Sequence, residues 1–461
     1  MLFRSCRRSP AVRLILPPRL AARLKLSPRL LARLQREAFD VRRWWTRAVV
    51  VLAAVASGLA VVVFTWLTEH SLSVFNRLYA WQWWLPLLLS PLVAAAVVWV
   101  TRRWFAGAAG SGIPQVIAAL EPQVNESNRG LFVNLRLALA KVVLTSAGLL
   151  GGLSVGREGP SVQVGAGVMA AFARWLPERS GVNLRALLVA GGSGGIAAAF
   201  NAPLAGVMFA IEELARSPEH RSSGLLISAI VLSGLMAVSA FGNLSYFGVI
   251  HAEAFGWQHA LPALSVALLS GLAGGLFARL LLASLAGPAH HNPFNALRAQ
   301  RPVLFAAGCG FGVALIGVAS NGLTFGSGYE TTRQLLGGLA VAPLLYVLLK
   351  FVATWWTAWS GVPAGIFAPS LAIGAALGHD VAVWSHHPGE PGLIALGMVG
   401  FLAAATQAPL TAFIIVMEMV DGYQMVLSLM ACALVASGVS RLVSRPLYAG
   451  LADAQLRRLP R

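Results

Sequence analysis

The segment Gly156-Arg157-Glu158-Gly159-Pro160 sets a carboxylate between glycines at the opening of an apolar run. Proline suits the first turn of a helix, where its missing N–H costs nothing, so the segment reads as a helix start. A helix N-terminus offers free N–H groups and partial positive charge, which makes it an anion site. Glycine lets the backbone come close to a ligand. Glu158, itself an anion, could occupy such a site when a mobile anion leaves. Protonated, it loses that attraction and swings away, so this residue could couple proton and anion movement. The plainer reading of Glu158 in isolation is a capping carboxylate. Gly365-Ile366-Phe367-Ala368-Pro369 opens a second helix in the same manner. In Gly110-Ser111-Gly112-Ile113-Pro114, the Ser111 hydroxyl can donate to an anion without adding charge.

The elements that must carry these residues are membrane helices. Of 461 residues, 57% are hydrophobic and only 11% charged, whereas a soluble domain carries about a quarter charged residues. Uncharged runs cover 48–66, 81–100, 225–244, 303–323 and 393–417, and a span needs roughly 20 such residues. In lipid these must be helices or closed barrels, and no alternating strand pattern is present. The expected fold class is therefore an all-α polytopic membrane protein. The segments 160–173 and 369–377 are too short to span and read as half-helices that start at mid-membrane.

The chain also contains itself twice. Gly110-Ser111-Gly112 returns as Gly326-Ser327-Gly328. Lys141 lies 15 residues before Gly156, and Lys350 lies 15 before Gly365. Asn201-Ala202-Pro203-Leu204 returns as Gln407-Ala408-Pro409-Leu410, each followed at 11 residues by an acid, Glu212 and Glu418. Paired interruptions of apolar segments in two halves point to a transporter site between them. Spacing alone leaves inverted and parallel halves both open. The organisation expected is a basic segment (1–47), a first membrane repeat (48–244), a second (245–455) and a short tail (456–461).

Net charge is +18, and thirteen of the 35 Lys and Arg precede residue 48. That reads as a cytoplasmic segment orienting the first span by the positive-inside rule. No nucleic-acid motif accompanies the charge, so no nucleic-acid partner is expected. A cleaved signal is not expected, because the first long apolar run starts too far from the beginning. Cys6, Cys309 and Cys432 are far apart without metal spacing, and no nucleophile set suggests an enzyme. No metal or cofactor is expected. Glu212 and Glu213 close an apolar segment, and by themselves read as a helix leaving the membrane at its cytoplasmic end. Tyr448 by itself reads as an interfacial aromatic.

Taken in order, Gly110-Ser111-Gly112-Ile113-Pro114, Gly156-Arg157-Glu158-Gly159-Pro160, Gly365-Ile366-Phe367-Ala368-Pro369 and the late Tyr448 resemble the selectivity filter of the CLC chloride channels and chloride/proton antiporters. The resemblance covers about residues 45 to 455. It implies two inverted repeats with broken and half-spanning helices, and a homodimer with one pore per subunit. It implies that Ser111 and Tyr448 coordinate chloride with the backbone amides of Ile366 and Phe367. It implies that Glu158 is the external gate and outer proton acceptor, and Glu213 the inner proton acceptor. An acid at 213 favours a secondary-active chloride/proton antiporter over the alternative, a passive chloride channel of the same fold. The substrates implied are chloride and protons; the Ala- and Arg-rich composition points to a bacterial inner membrane as the setting. Gln115 stands where some members carry an acid.

Overall fold

The computed structural model describes residues 40–178, 180–214, 224–242, 246–248, 257–286, 293–339, 343–386 and 391–457. The basic repeat at 18–34 and Cys6 lie outside them. Among the described residues the regular structure is helical, and one isolated antiparallel bridge joins Gly156 to Gly365.

The first helix, α1 (Val41–Trp81), starts earlier and ends later than the apolar run 48–66; Asp40 caps its start by accepting from the Arg43 N–H. At 1.5 Å per residue it is about 60 Å long, more than a bilayer core needs. There follow α2 (Pro86–Trp104), α3 (Ile113–Leu120), α4 (Leu135–Leu150), α5 (Glu158–Ala171), α6 (Leu184–Phe200), α7 (Pro203–Phe209) and α8 (Gly224–Phe241). The second half holds α9 (Ala260–Leu285), α10 (Pro293–Gln300), α11 (Pro302–Ala319), α12 (Tyr329–Leu336), α13 (Tyr346–Ser360), α14 (Phe367–Trp384), α15 (Pro391–Thr406), α16 (Pro409–Met419), α17 (Val426–Val443) and α18 (Leu447–Leu456). Six elements among the described residues are long and apolar enough to cross a membrane.

Two expectations about length need correction. The segment 369–377 belongs to the longer α14, which runs on to Trp384. The run 393–417 is two helices, α15 and α16, because Gln407 takes a left-handed backbone (φ 59°) ahead of Pro409. Asn201 does the same (φ 55°) between α6 and α7. The matched Asn/Gln-Ala-Pro-Leu strings are thus two matched breaks.

The direction of the halves follows from helix ends. Glu418, near the end of α16, accepts from the N–H groups of Leu204 (3.2 Å) and Ala205 (2.7 Å) at the start of α7. Glu212, just beyond the end of α7, accepts from Leu410 (3.1 Å) and Thr411 (2.7 Å) at the start of α16. Each carboxylate supplies acceptors to donors that a helix start leaves without partners. Corresponding helices of the two halves therefore run antiparallel, and the repeats are inverted. Changing Glu212 and Glu418 singly to Gln leaves one good acceptor oxygen for two donors. Each substitution is expected to cost about 1–2 kcal/mol and the pair more, read as lowered thermal stability in detergent. Equal stability in both variants would remove the reciprocal caps from the energetics.

The helices behind the site are close-packed and buried. α6 and α15 are hidden along almost their whole lengths. A Cβ on Gly165 of α5 would come 2.2 Å from the Gly191 carbonyl of α6, and one on Gly374 of α14 would come 2.3 Å from the Gly397 carbonyl of α15. Both halves use the same glycine crossing to bring a half-helix against its neighbour.

Candidate anion site at the junction of the repeats

α5 and α14 meet head to head. The Gly156 N–H donates to the Gly365 carbonyl at 2.8 Å, and the Gly365 N–H donates to the Gly156 carbonyl at 2.9 Å. This two-residue bridge holds both helix N-termini at one place, each with first-turn amides that no intrahelical carbonyl can reach. Pro160 and Pro369 fall in those first turns.

Glu158 is the first residue of α5 and is 1% exposed. Its Oε2 crosses to the other repeat and accepts from the Ala368 N–H of α14 at 3.3 Å. The carboxylate thus stands where an anion would be held, bonded to backbone alone. Arg157 turns the other way. Its guanidinium donates to Glu69 at 2.8 Å and to the Tyr246 hydroxyl at 3.1 Å. These residues line a basin of about 1000 Å³ on that side of Glu158, which Asn201 and Glu418 also border.

On the other side lies a cavity of about 120 Å³ lined by Gly110, Ser111, Pro114, Ile366 and Tyr448. Ser111 sits directly over α5, since a Cβ on Gly159 would fall 2.3 Å from its Oγ. The Ser111 and Tyr448 hydroxyls are close enough to interact. Both oxygens are buried, and neither has a partner at full hydrogen-bonding geometry. Tyr448 is 1% exposed, and its ring stacks on Phe367 at 6.1 Å. The interfacial reading of Tyr448 is therefore corrected: it lies inside the protein. Two buried hydroxyls beside first-turn amides form a donor set suited to a halide, and among the described residues of the cavity's lining the formal positive charge is Arg298.

The loop carrying Ser111 is tied down by residues whose part was not read from the sequence. Lys141 donates from Nζ to the carbonyls of Ala108 (2.7 Å) and Gly110 (2.8 Å). Lys350 repeats this in the second half with Thr324 (2.9 Å) and Gly326 (2.8 Å). Their shared spacing to Gly156 and Gly365 was the available signal. The lysines brace loops and do not present their ammonium groups to the anion. Gln115 accepts from the Gly112 N–H at 3.0 Å and donates to the Ala109 carbonyl, closing the turn before α3. Gln163 of α5 donates to the Gly107 and Phe132 carbonyls, fixing the same loop from below. The neighbouring glycines Gly110 and Gly112 take positive φ (71° and 105°), which that tight turn requires.

The two adjacent acids separate. Glu212 is spent on the start of α16. Glu213, in the π-helical turn Ala210–Leu214, is buried at 7% exposure. Tyr448 lies within electrostatic reach of both Glu213 and Glu158. Ser111, Glu158, Ile366, Phe367 and Tyr448 are thus brought together, and Glu213 lies within electrostatic reach of Tyr448.

The family model described as voltage gated chloride channel matches residues 93–441. The chain is 31% identical over 440 residues to the H(+)/Cl(-) exchange transporter ClcA of Cronobacter sakazakii, covering 86% of this chain and 87% of the relative. It is 32% identical over 403 residues to that of Vibrio cholerae, covering 81% and 80%. In fold it is similar to a slow cyanobacterial Cl-/H+ antiporter (TM-score 0.75, 25% identity, 90% of this chain and 99% of that one). It is also similar in fold to a eukaryotic CLC transporter (TM-score 0.72, 21% identity, 89% and 74%). With the filter segments assembled at the junction of two inverted repeats and the match running through both of them, the chain belongs to the CLC family of voltage gated chloride channels and transporters.

Proposed function

We propose that this protein exchanges chloride for protons across a membrane, by secondary-active antiport. The observation that carries this reading is the Glu158 carboxylate held by the Ala368 N–H of the opposite repeat. It fills an anion position with a group that a proton can neutralise. A carboxylate and a chloride compete for the same amides. Protonation removes the charge that holds Glu158 there, so a proton taken up from the Arg157 basin opens the position to chloride. In this reading Ser111, Tyr448 and the amides of Ile366 and Phe367 hold the ion next along its path. Dipoles and hydroxyls hold it weakly enough to release it. Glu213 receives the proton from the opposite side.

The basin rich in arginine next to the Ser111 cavity faces the cytoplasm under the positive-inside rule, with Arg102, Arg298, Arg445 and Arg457 lining it. The Trp45 indole donates to the Trp175 carbonyl at 2.9 Å, beside the turn that leads into α6. The far end of α6, Asn201, opens on the Arg157 basin, which supports a cytoplasmic N-terminus. The bacterial relatives favour an inner membrane. Each subunit carries a whole site, which suits a homodimer with one route per subunit.

The test is proton movement into liposomes holding the purified protein, driven only by a chloride gradient. Uphill proton movement is expected. Glu213→Gln is expected to keep chloride flux and drop coupled proton movement to the level of protein-free liposomes. Chloride flux without proton movement in the unmodified protein would make it a channel. Unchanged coupling in Glu213→Gln would return Glu213 to a helix-end role.

A further inference from the structure

Three cavities meet at Arg298. The smallest holds Ser111, Ile366 and Tyr448. A second, of about 280 Å³, shares Gly361 with it and adds Arg102. The third is an open basin of about 790 Å³ lined by Arg102, Arg298, Arg445 and Arg457, against one acid among the described residues, Asp453. Arg298 is anchored by donating to the Ser284 carbonyl at 3.1 Å, so it forms a fixed wall common to all three. Among the described residues the guanidinium groups of Arg102, Arg445 and Arg457 form no ion pair or side-chain hydrogen bond.

Attraction of chloride needs only diffuse positive charge. This basin has more: four planar forks of donors around a volume far larger than the Ser111 cavity and within the range of small-molecule sites, about 300–1000 Å³. Guanidinium forks match phosphate oxygens two at a time, which a spherical halide cannot use. Among the described residues the lining holds no aromatic ring, so a nucleobase would find no aromatic platform there.

We propose that this basin binds an anion carrying two or more linked phosphate groups, and that the bound anion closes chloride's inner route at Arg298. The proposal rests on the reading of the Ser111 cavity as part of that route. Inorganic polyphosphate and nucleoside triphosphates share the chemistry. The bare triphosphate is expected to bind as well as the nucleotide, because the base finds no platform.

Two measurements test it, both on the full-length purified protein. Calorimetry in detergent with sodium tripolyphosphate, ATP or sulfate at matched ionic strength reads binding apart from transport. Tripolyphosphate and ATP are expected to bind alike and sulfate much more weakly. The double variant Arg445→Gln/Arg457→Gln is expected to lose affinity by about tenfold or more. In liposomes with tripolyphosphate on both faces, chloride flux is expected to fall in a saturable way. The half-inhibiting concentration should rise by a similar factor in the double variant, each protein being scaled to its own uninhibited rate. Should that variant fail to fold, Arg445→Lys/Arg457→Lys keeps the charge and removes the forks, and affinity should still fall. Binding of tripolyphosphate no tighter than sulfate, or affinity unchanged in both double variants, overturns the site. ATP binding much tighter than tripolyphosphate overturns recognition through phosphate alone. Tight binding with unaltered flux overturns closure of the route. A protein that moves no chloride yet binds tripolyphosphate would refute the transport reading and leave the basin standing.

Discussion

Glu158→Ala is expected to abolish proton coupling while chloride still crosses, with uphill proton movement falling to the leak of protein-free liposomes. Among the described residues the carboxylate is the one ionisable group bonded to the junction amides, through the Ala368 N–H. Alanine can neither carry a proton into that position nor compete for it. Glu158→Gln is expected to lose coupling as well. Its amide has the shape of the protonated acid but gives up no proton. A hydrogen bond to a charged group is worth about 1.5–3 kcal/mol, so freeing the amides should tighten chloride binding by about tenfold or more in the alanine variant, readable by calorimetry. Coupled antiport that persists in Glu158→Ala would displace Glu158 from the gate. Chloride affinity left unchanged would mean that the carboxylate and chloride do not share a position.

The two bridging glycines should respond differently to alanine. At Gly365 a Cβ would lie 2.7 Å from the Gly156 carbonyl oxygen and 2.8 Å from Cδ of Pro160. Neither neighbour is a flexible side-chain end, so the paired backbone bonds at 2.8 and 2.9 Å must separate. Overpacking of about 1–3 kcal/mol, with two buried backbone groups left poorly paired, is expected to lower the yield and thermal stability of Gly365→Ala and to disable transport. At Gly156 the Cβ would lie 2.3 Å from Oε2 of Glu158, the far end of a side chain that can swing. Its other near neighbours, Cδ of Pro369 and the Ala368 nitrogen, stand at 3.1 and 3.3 Å. Gly156→Ala is therefore expected to fold better than Gly365→Ala and to show its main defect in coupling, with the carboxylate pushed out of its place. The comparison is made by unfolding both variants in detergent beside proton and chloride fluxes in liposomes. Equal stability with equal fluxes would mean that the close approach at the bridge does not matter.

Much of the site was legible because it is built from backbone. A helix start that holds an anion must have glycine where chains touch and proline where an N–H is dispensable, and those letters stand out at 156–160 and 365–369. The spacing of Lys141 and Lys350 was also visible, yet the purpose was not. Nothing in one dimension says that each Nζ reaches carbonyls more than twenty residues away in its own half. Glu212 and Glu213 show the same limit more sharply. They are neighbours of one type at a helix end, and only the fold assigns one to the amides of α16 and buries the other. Helix lengths were misjudged where a run of one hydropathy concealed a left-handed residue, as at Gln407, or where a half-helix continued past its most apolar stretch, as in α14.

By itself, the order of residues determined that this is a helical membrane protein made of two related halves, each broken at matching glycines and prolines. Apolar length and backbone chemistry act locally, so they leave a local record. Residue spacing left the direction of the halves open and the family resemblance only implied inversion; the tertiary structure decided it, because the reciprocal Glu212 and Glu418 caps require helices running in opposite directions. It also decided that Glu158 is bonded to an amide of the other repeat, some two hundred residues along the chain. Dipoles and hydroxyls form an anion site only when several converge on one point. That convergence is a property of packing across the junction, which no single segment contains.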